Sequence, residues 1–311
     1  MHFTKLMTYI YNACMNKKEI LGIRVDMGLN AQEVVDAAEN MINDENTGHY
    51  ICTTNPEFVV EAQKDSKFKE IINSSDLSVP DGIGVIAASD YLAKVATFEK
   101  NNFFLFKDVL LGFEVGLKIL FGKYKEERLT GVSLAEELFK LSSKKKYSIF
   151  LLGGWPRDWF GRKMKIGEDF ATLTGKIVEN NYPGVFIVGS ASNFSFEEND
   201  DEKTIRFIKN KMAEKNIEKI DILMVAYGQN KQEKWIVRNA DKIPANLSIG
   251  LGGTFDYITG HYKQIPSIIT KMGLDWLFRL ITQPFRIRRI INAFPIFPFK
   301  VFLSSIKHNE Q

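Results

Sequence analysis

Two hydrophobic periods alternate along most of the chain. Short apolar runs of β type predict strands at residues 19–27, 49–53, 77–80, 147–152, 221–226 and 247–251. Between them, apolar residues recur at helical spacing. Val34, Val35, Ala38, Met41 and Ile42 form one stripe behind an Asn30/Glu33 pair at capping-box distance, and residues 202–215 and 232–240 follow the same rule. Thr54-Asn55-Pro56 reads as a helix start with Asn as cap and proline in the first turn, and Asp81-Gly82 opens a helix through Leu92. Strands alternating with helices predict βαβ units and a mostly parallel sheet, an α/β fold.

Two segments fit this pattern poorly. In residues 103–121, Phe103, Phe106, Leu110, Phe113, Leu117 and Phe121 recur at helical spacing, and further apolar residues spill onto the other faces. Burial in the protein or in an oligomer is the first expectation for so apolar a helix, and a membrane surface is the second. From Lys271 onward, Arg279, Arg286, Arg288, Arg289 and Lys300 alternate with apolar residues, and Asp275 is the only acid up to Lys300. That pattern suits either an anionic membrane surface or an amphipathic helix that closes the domain. These breaks divide the chain into an N-terminal extension (1–19), an α/β domain (20–265) with an apolar helical insertion (97–127), and a basic, apolar C-terminal appendage (266–311).

Composition narrows the class. The chain has 311 residues, 45% hydrophobic and 25% charged, with a formal charge of +3, which fits a globular protein and gives no sign of a nucleic-acid partner. Cys14 and Cys52 are the only cysteines, which points to a reducing compartment. No run of about 18 uninterrupted apolar residues predicts a membrane span, and the first 15 residues make a poor signal sequence. The expected location is cytoplasmic.

Several residues with chemical potential fall where strands end. Thr53, Asp81, Gly153-Gly154, Gly228 and Gly252-Gly253 all lie at or just after predicted strand ends, the edge where open parallel sheets bind ligands. The glycines either let backbone approach a ligand or simply end strands. Asp81 could cap the helix that follows it or act as a general base. Thr53 and Asn55 offer a hydroxyl and an amide to a sugar, and Asn55 could equally be a helix cap. Arg128, Thr130 and Gly131 form a phosphate-binding turn or a solvated one. No GxxxxGK[ST] loop, zinc-ligand pattern or GxSxG elbow is present, and Phe255 stands where a dinucleotide loop starting at Gly250 needs its third glycine. A Rossmann-like oxidoreductase is therefore disfavoured; a non-catalytic sugar-nucleotide-binding protein is a further alternative.

Motifs then add up in order: Thr53-x-Asn-Pro-Glu57, Pro80-Asp-Gly-Ile-Gly84, Arg128-x-Thr-Gly131, Gly228 with Lys231-Gln-Glu233, Gly250-x-Gly-Gly-x-Phe-Asp256, Leu274-Asp-Trp-x-x-Arg279 and Pro284-x-Arg286-x-x-Arg289. Over roughly residues 20 to 289 the chain resembles the WecG/TagA/CpsF family of bacterial glycosyltransferases. The resemblance implies a Rossmann-like α/β enzyme with flanking helices and a C-terminal helical appendage that contacts the membrane. It implies transfer, with inversion and without metal or other cofactor, of an N-acetylhexosamine-type sugar from a UDP-sugar. The acceptor is a polyprenyl-diphosphate-linked sugar at the inner membrane face, in teichoic acid or other surface-polysaccharide synthesis.

By that resemblance Asp81 is the base, Thr53 and Asn55 position the donor or acceptor sugar, and Arg279, Arg286 and Arg289 meet the acceptor diphosphate. Asn55, Gln232 and Asp256 line the sugar-nucleotide pocket. With them go the turn residues Gly82, Arg128, Gly131, Gly153, Gly154, Gly252 and Gly253. Expected partners are the two substrates, an anionic membrane surface and a second copy of the chain. Three features depart from the family pattern: Asn230 replaces the usual proline before Lys231, the link at 97–127 is longer and more apolar, and the chain continues past Arg289 with an aromatic, proline-rich end.

Overall fold

The structure is a computed structural model, and it describes residues 17–99, 101–124, 129–271 and 274–310. The readings on residues 1–16 and on Arg128 lie outside the described residues. Residues 19–27 are not one strand, as the apolar pattern suggests, but belong to a hairpin of β1 (Lys17–Ile20) and β2 (Ile23–Asp26), paired antiparallel. Leu21 (φ 53°) and Gly22 (φ 77°) turn the chain with two positive φ angles, the geometry that matches strand twist in a two-residue hairpin.

The main sheet contains β3 (His49–Thr54), β4 (Leu77–Pro80), β5 (Ser148–Gly153), β6 (Phe186–Ala191), β7 (Ile220–Ala226) and β8 (Ala245–Gly250), in the order β4-β3-β8-β7-β5-β6. All of its pairings are parallel. β5 and β8 are buried at every residue; β5 reads as an apolar run from Ile149 to Leu152, whereas β8 also buries Asn246 and Ser248. β4 is an edge, where Pro80 removes no needed ladder donor. The hairpin shields that edge: buried Asp26 accepts from Ser78 N at 2.8 Å and from Arg24 Nη2 at 2.9 Å. β6, the other edge, escapes the apolar pattern because Phe-Ile-Val gives way at once to Gly-Ser-Ala.

Helices cover both faces. On one lie α1 (Ala31–Ile42), α6 (Gly131–Lys145) and α7 (Phe170–Asn181); on the other lie α2 (Pro56–Ala62), α3 (Ser66–Ser74), α4 (Ile83–Val95), α8 (Asp201–Glu214) and α9 (Lys231–Asn239). The expected capping box forms at α1: Glu33 N donates to Asn30 Oδ1 at 3.0 Å, and Asn30 N donates to Glu33 Oε2 at 2.8 Å.

The apolar insertion forms α5 (Phe104–Leu120), packed on α4 outside the sheet. Only Phe104, Asp108, Leu111 and Val115 of this helix are buried. The stripe that periodicity assigned to the interior faces outward, with Phe106 63%, Phe113 70% and Phe121 84% exposed. Burial inside the protein is thus overturned. The reason is that α5 meets its neighbours through the narrower face that carries Asp108. That buried carboxylate accepts from Tyr91 Oη on α4 and from Ser305 Oγ, at 2.8 Å in the latter case. Ser305 lies on α14 (Phe297–Glu310), so one polar cluster pins α4, α5 and the tail together.

The remaining helices are α10 (Thr254–Ile258), α11 (Ser267–Lys271), α12 (Asp275–Thr282) and α13 (Ile287–Ile291). Residues Pro284–Lys307 form a helical run long and apolar enough, by length and composition, to cross a membrane, which the sequence reading did not anticipate. The run is interrupted at Phe294 (φ −157°, ψ 121°), and its arginines turn toward the edge of the sheet described next.

Candidate active site

At the carboxyl edge of the sheet the ends of β3, β7 and β8, the loop after β5, the first turn of α6 and the C-terminal arginines enclose a cavity of about 490 Å³. It is within the size range of small-molecule sites. Thr53, Asn55, Asp81, Gly131, Gly154, Gln232, Gly252, Gly253, Asp256, Arg279, Arg286 and Arg289 all line it. Two expected residues do not. Gly153 lies in β5, where a Cβ would meet the Tyr227 ring at 2.8 Å and Ala226 backbone at 3.1 Å. It is glycine for strand packing and not for ligand approach. Gly82 faces an adjoining apolar groove.

The glycine turns are held in register by one side chain. Gln232, at the start of α9, is almost fully buried, and its Oε1 accepts from Gly252 N at 2.9 Å and Gly228 N at 3.2 Å. Its Nε2 donates to Glu233 Oε1 at 2.7 Å. Gln232 therefore positions the turns after β7 and β8, with its amide engaged on both sides. Burial pushes the Glu233 carboxyl up to about 7, and Glu233 packs as the partner of Gln232. Gly154 (φ +84°) has no room for a Cβ, which would lie 2.8 Å from the Phe255 ring.

At the β3 and β4 ends, Asn55 caps α2 by accepting from Phe58 N at 3.0 Å. Thr53 is buried near the end of β3 and lines the cavity. Asp81 N donates to Thr54 O at 2.8 Å, which ties the two strand ends. The N-cap of α4 is Gly82 (φ 106°), which has no side chain, so Asp81 sits one residue before the capping position. Asn230 has φ 68°, a value closed to proline, whose ring locks φ near −65°. Its Nδ2 donates to Glu61 Oε1 at 2.7 Å and Asp65 Oδ2 at 3.1 Å.

The three arginines enter from the appendage. Arg289 Nε donates to Glu57 Oε2 at 2.5 Å and its Nη2 to Gln229 Oε1 at 3.0 Å. The Arg286 guanidinium sits 5.2 Å from the Tyr262 ring centroid and 5.7 Å from that of Phe285. Burial, with the charges of Arg289 and Arg279, lowers the Arg286 pKa from its ordinary value. Burial also opposes the Arg279 charge, but Tyr257, Asp81, Asp275 and Glu57 together hold its pKa above the usual value. Arg279 Nε and Asp256 Oδ1 are buried with no hydrogen-bond partner among the described residues. Burial pushes the Asp256 carboxyl up to about 6, against the pull of Arg286, His261 and Arg157. A polar pocket with cationic walls, a carboxylate at a strand end and polar atoms awaiting partners suits a sugar joined to a diphosphate.

The family comparison bears on the whole chain. The model of the glycosyl transferase WecG/TagA/CpsF family matches residues 18–110 and 111–311. The chain belongs to this family. It is therefore a glycosyltransferase, and the resemblance carried by the motifs is borne out. Among curated relatives, an N-acetylglucosaminyldiphosphoundecaprenol N-acetyl-beta-D-mannosaminyltransferase of Bacillus spizizenii is 28% identical over 258 residues, 83% of this chain and 80% of that one. The protein of that name from Bacillus subtilis is 28% identical over 263 residues, 85% and 83% of the two chains. That from Staphylococcus aureus strain NCTC 8325 is 24% identical over 285 residues, 92% of each.

In this glycosyltransferase several cavity residues escaped the sequence reading. Trp155, Arg157, Tyr227, Tyr257, Tyr262 and Phe285 line it together with Glu57, Glu61, Gln229 and Lys231. Glu57 and Lys231 lay inside recognised motifs, so their motif membership was an available signal. Trp155 stacks on Tyr227 with centroids 5.6 Å apart, and Lys163 Nζ lies 3.8 Å from the Trp155 centroid. Nothing in the local pattern marks these aromatics, because they come together only when the loop after β5 folds over β7.

Proposed function

We propose that this glycosyltransferase moves N-acetylmannosamine, or a closely related N-acetylhexosamine, from its UDP derivative to N-acetylglucosamine on a polyprenyl diphosphate. The reaction belongs to the synthesis of a teichoic acid or similar surface polymer. The names of the relatives support both the sugar and the acceptor. The observation that carries the reading is the placement of Asp81 in a cavity shared with three arginines. In this reading an acceptor hydroxyl oxygen attacks C1 of the donor sugar from the face opposite UDP. The bond from C1 to the diphosphate oxygen breaks, the hydroxyl proton passes to Asp81, and UDP leaves with the bond's electron pair. Thr53 and Asn55 orient the sugars, and Gln232 holds the glycine turns that approach the donor.

The first turn of α6, at Gly131, stabilises the charge of the leaving UDP, and the arginines meet the diphosphate of the acceptor. Turnover should therefore persist in a chelator. The exposed apolar face of α5 and the basic, apolar tail support peripheral attachment to the inner face of the cell membrane, where a polyprenyl acceptor resides.

Asp81→Asn tests the reading. The variant keeps side-chain shape but loses the proton acceptor, so UDP release with a short-chain polyprenyl-diphosphate-GlcNAc acceptor should fall about 10²- to 10⁴-fold while UDP binding and melting temperature stay near wild type. A folded variant that transfers within a few-fold of wild type returns Asp81 to a structural role.

A further inference from the structure

Beside the polar cavity runs a second space of about 890 Å³, bounded by α5 on one side and by α12, α13 and the tail on the other. Gly112, Phe113 and Gly116 of α5 line it together with Trp276 and Ile290. The two spaces meet: Asn55, Glu57, Asp81, Arg279 and Arg289 line both. Glu57, Asp81 and Asp275, the acidic residues in the groove wall, all act on the Arg279 charge, so the ionic groups gather at the junction and the rest of the wall is apolar. Polar cavity, cationic junction and apolar groove follow one another in the order of a sugar, a diphosphate and a hydrocarbon chain.

We infer that the groove between α5 and the C-terminal helices holds the first isoprenoid units of the polyprenyl-diphosphate acceptor, with the diphosphate at Arg279 and Arg289 and the sugar toward Asp81. This rests on the acceptor class proposed above and adds a lipid subsite walled by the apolar insertion. Two features of α5 support it. Gly112 and Gly116 lie one helical turn apart, and a Cβ at either would meet nothing within 4 Å. They leave an open trough in a helix interior, where glycine costs stability relative to alanine. The buried Asp108 cluster joins α5 to α14 and so fixes the spacing of the walls. A nucleotide suits the groove poorly, since away from the junction it presents no charged partner.

The test fills the trough. Gly112→Leu with Gly116→Leu adds side chains into open space and raises helix propensity, and Gly112→Ala with Gly116→Ala is the control that leaves the groove mostly open. The probes are geranylgeranyl diphosphate and inorganic diphosphate, followed through tryptophan emission or calorimetry with the full chain. Each carbon kept out of the groove is worth about a fourfold loss, so the leucine variant should bind geranylgeranyl diphosphate at least about tenfold more weakly. Inorganic diphosphate and UDP should bind as in wild type.

Equal geranylgeranyl affinity in wild type and the leucine variant overturns the groove assignment, as does its displacement by a phospholipid acyl chain as effectively as by a prenyl chain. If the double variant does not fold, Gly116→Leu alone supplies the same comparison. A wild-type enzyme that transfers to no GlcNAc-diphosphate acceptor of any chain length refutes the acceptor reading, while the binding contrast still decides the groove.

Discussion

Replacing Asp256 with asparagine should stabilise the protein, and more so as pH rises. The carboxyl is almost fully buried behind the turn at Gly253, with its titratable and charged neighbours Arg286, His261, Arg157 and Tyr262. Burial raises it from 3.8 to about 6. The native state therefore holds this proton to higher pH than the unfolded chain does. The stability this group contributes is full below the ordinary carboxylate range and is lost as pH climbs through about 6. At 1.36 kcal/mol per unit the whole effect is about 3 kcal/mol, roughly half of it lost by pH 5 and the rest between pH 5 and pH 8. Asp256→Asn is nearly isosteric and does not ionise. Its melting temperature should exceed that of wild type by roughly 5–10 °C at pH 8 and by about half as much at pH 5. Glu233, His261 and every other titrating group are common to both proteins, so the difference isolates Asp256. Scanning calorimetry of both proteins at the two pH values is the assay. Parallel pH profiles would refute the argument, since they would mean that Arg286 and its neighbours fully compensate the buried charge.

Three further outcomes follow from the geometry. Asn230→Pro restores the residue usual in the family but demands φ near −65° where this chain has 68°, and it deletes the bonds to Glu61 and Asp65; a loss of about 3 kcal/mol or more is expected in denaturant titration, and a neutral result would show that the turn flips. Arg289→Ala removes an ion pair that is half exposed and contributes at most about 1 kcal/mol to stability, yet it should cut transfer to a lipid-linked acceptor about 10- to 150-fold, the range for a hydrogen bond to a charged group. Phe106→Ser with Phe121→Ser changes only exposed positions and should lower partitioning onto anionic vesicles about a hundredfold or more at unchanged melting temperature; equal flotation of variant and wild type would remove α5 from the membrane contact.

The sequence by itself determined the parallel α/β class and the sheet edge at which the candidate cavity lies. Both follow from local information: buried parallel strands are rich in apolar residues, and the turns after them carry the glycines, Asp81 and the caps. The appendage arginines were legible as well, because their spacing matches a family motif. What the chain pattern could not determine was which face of an apolar helix points inward. In α5 both faces are apolar enough to be buried, and the choice fell to Asp108, whose hydroxyl partners lie 17 residues upstream on Tyr91 and 197 downstream on Ser305. Likewise Gln232 reads as a helix-start residue, yet its amide spans two turns 24 residues apart in sequence, at Gly228 and Gly252. The groove beside Asp81 has no signature in sequence, because its walls come from the insertion and the tail. Local propensity specifies elements; the free energy that selects faces and joins distant turns comes from burying polar groups only where partners await them, and those partners are supplied by the tertiary fold.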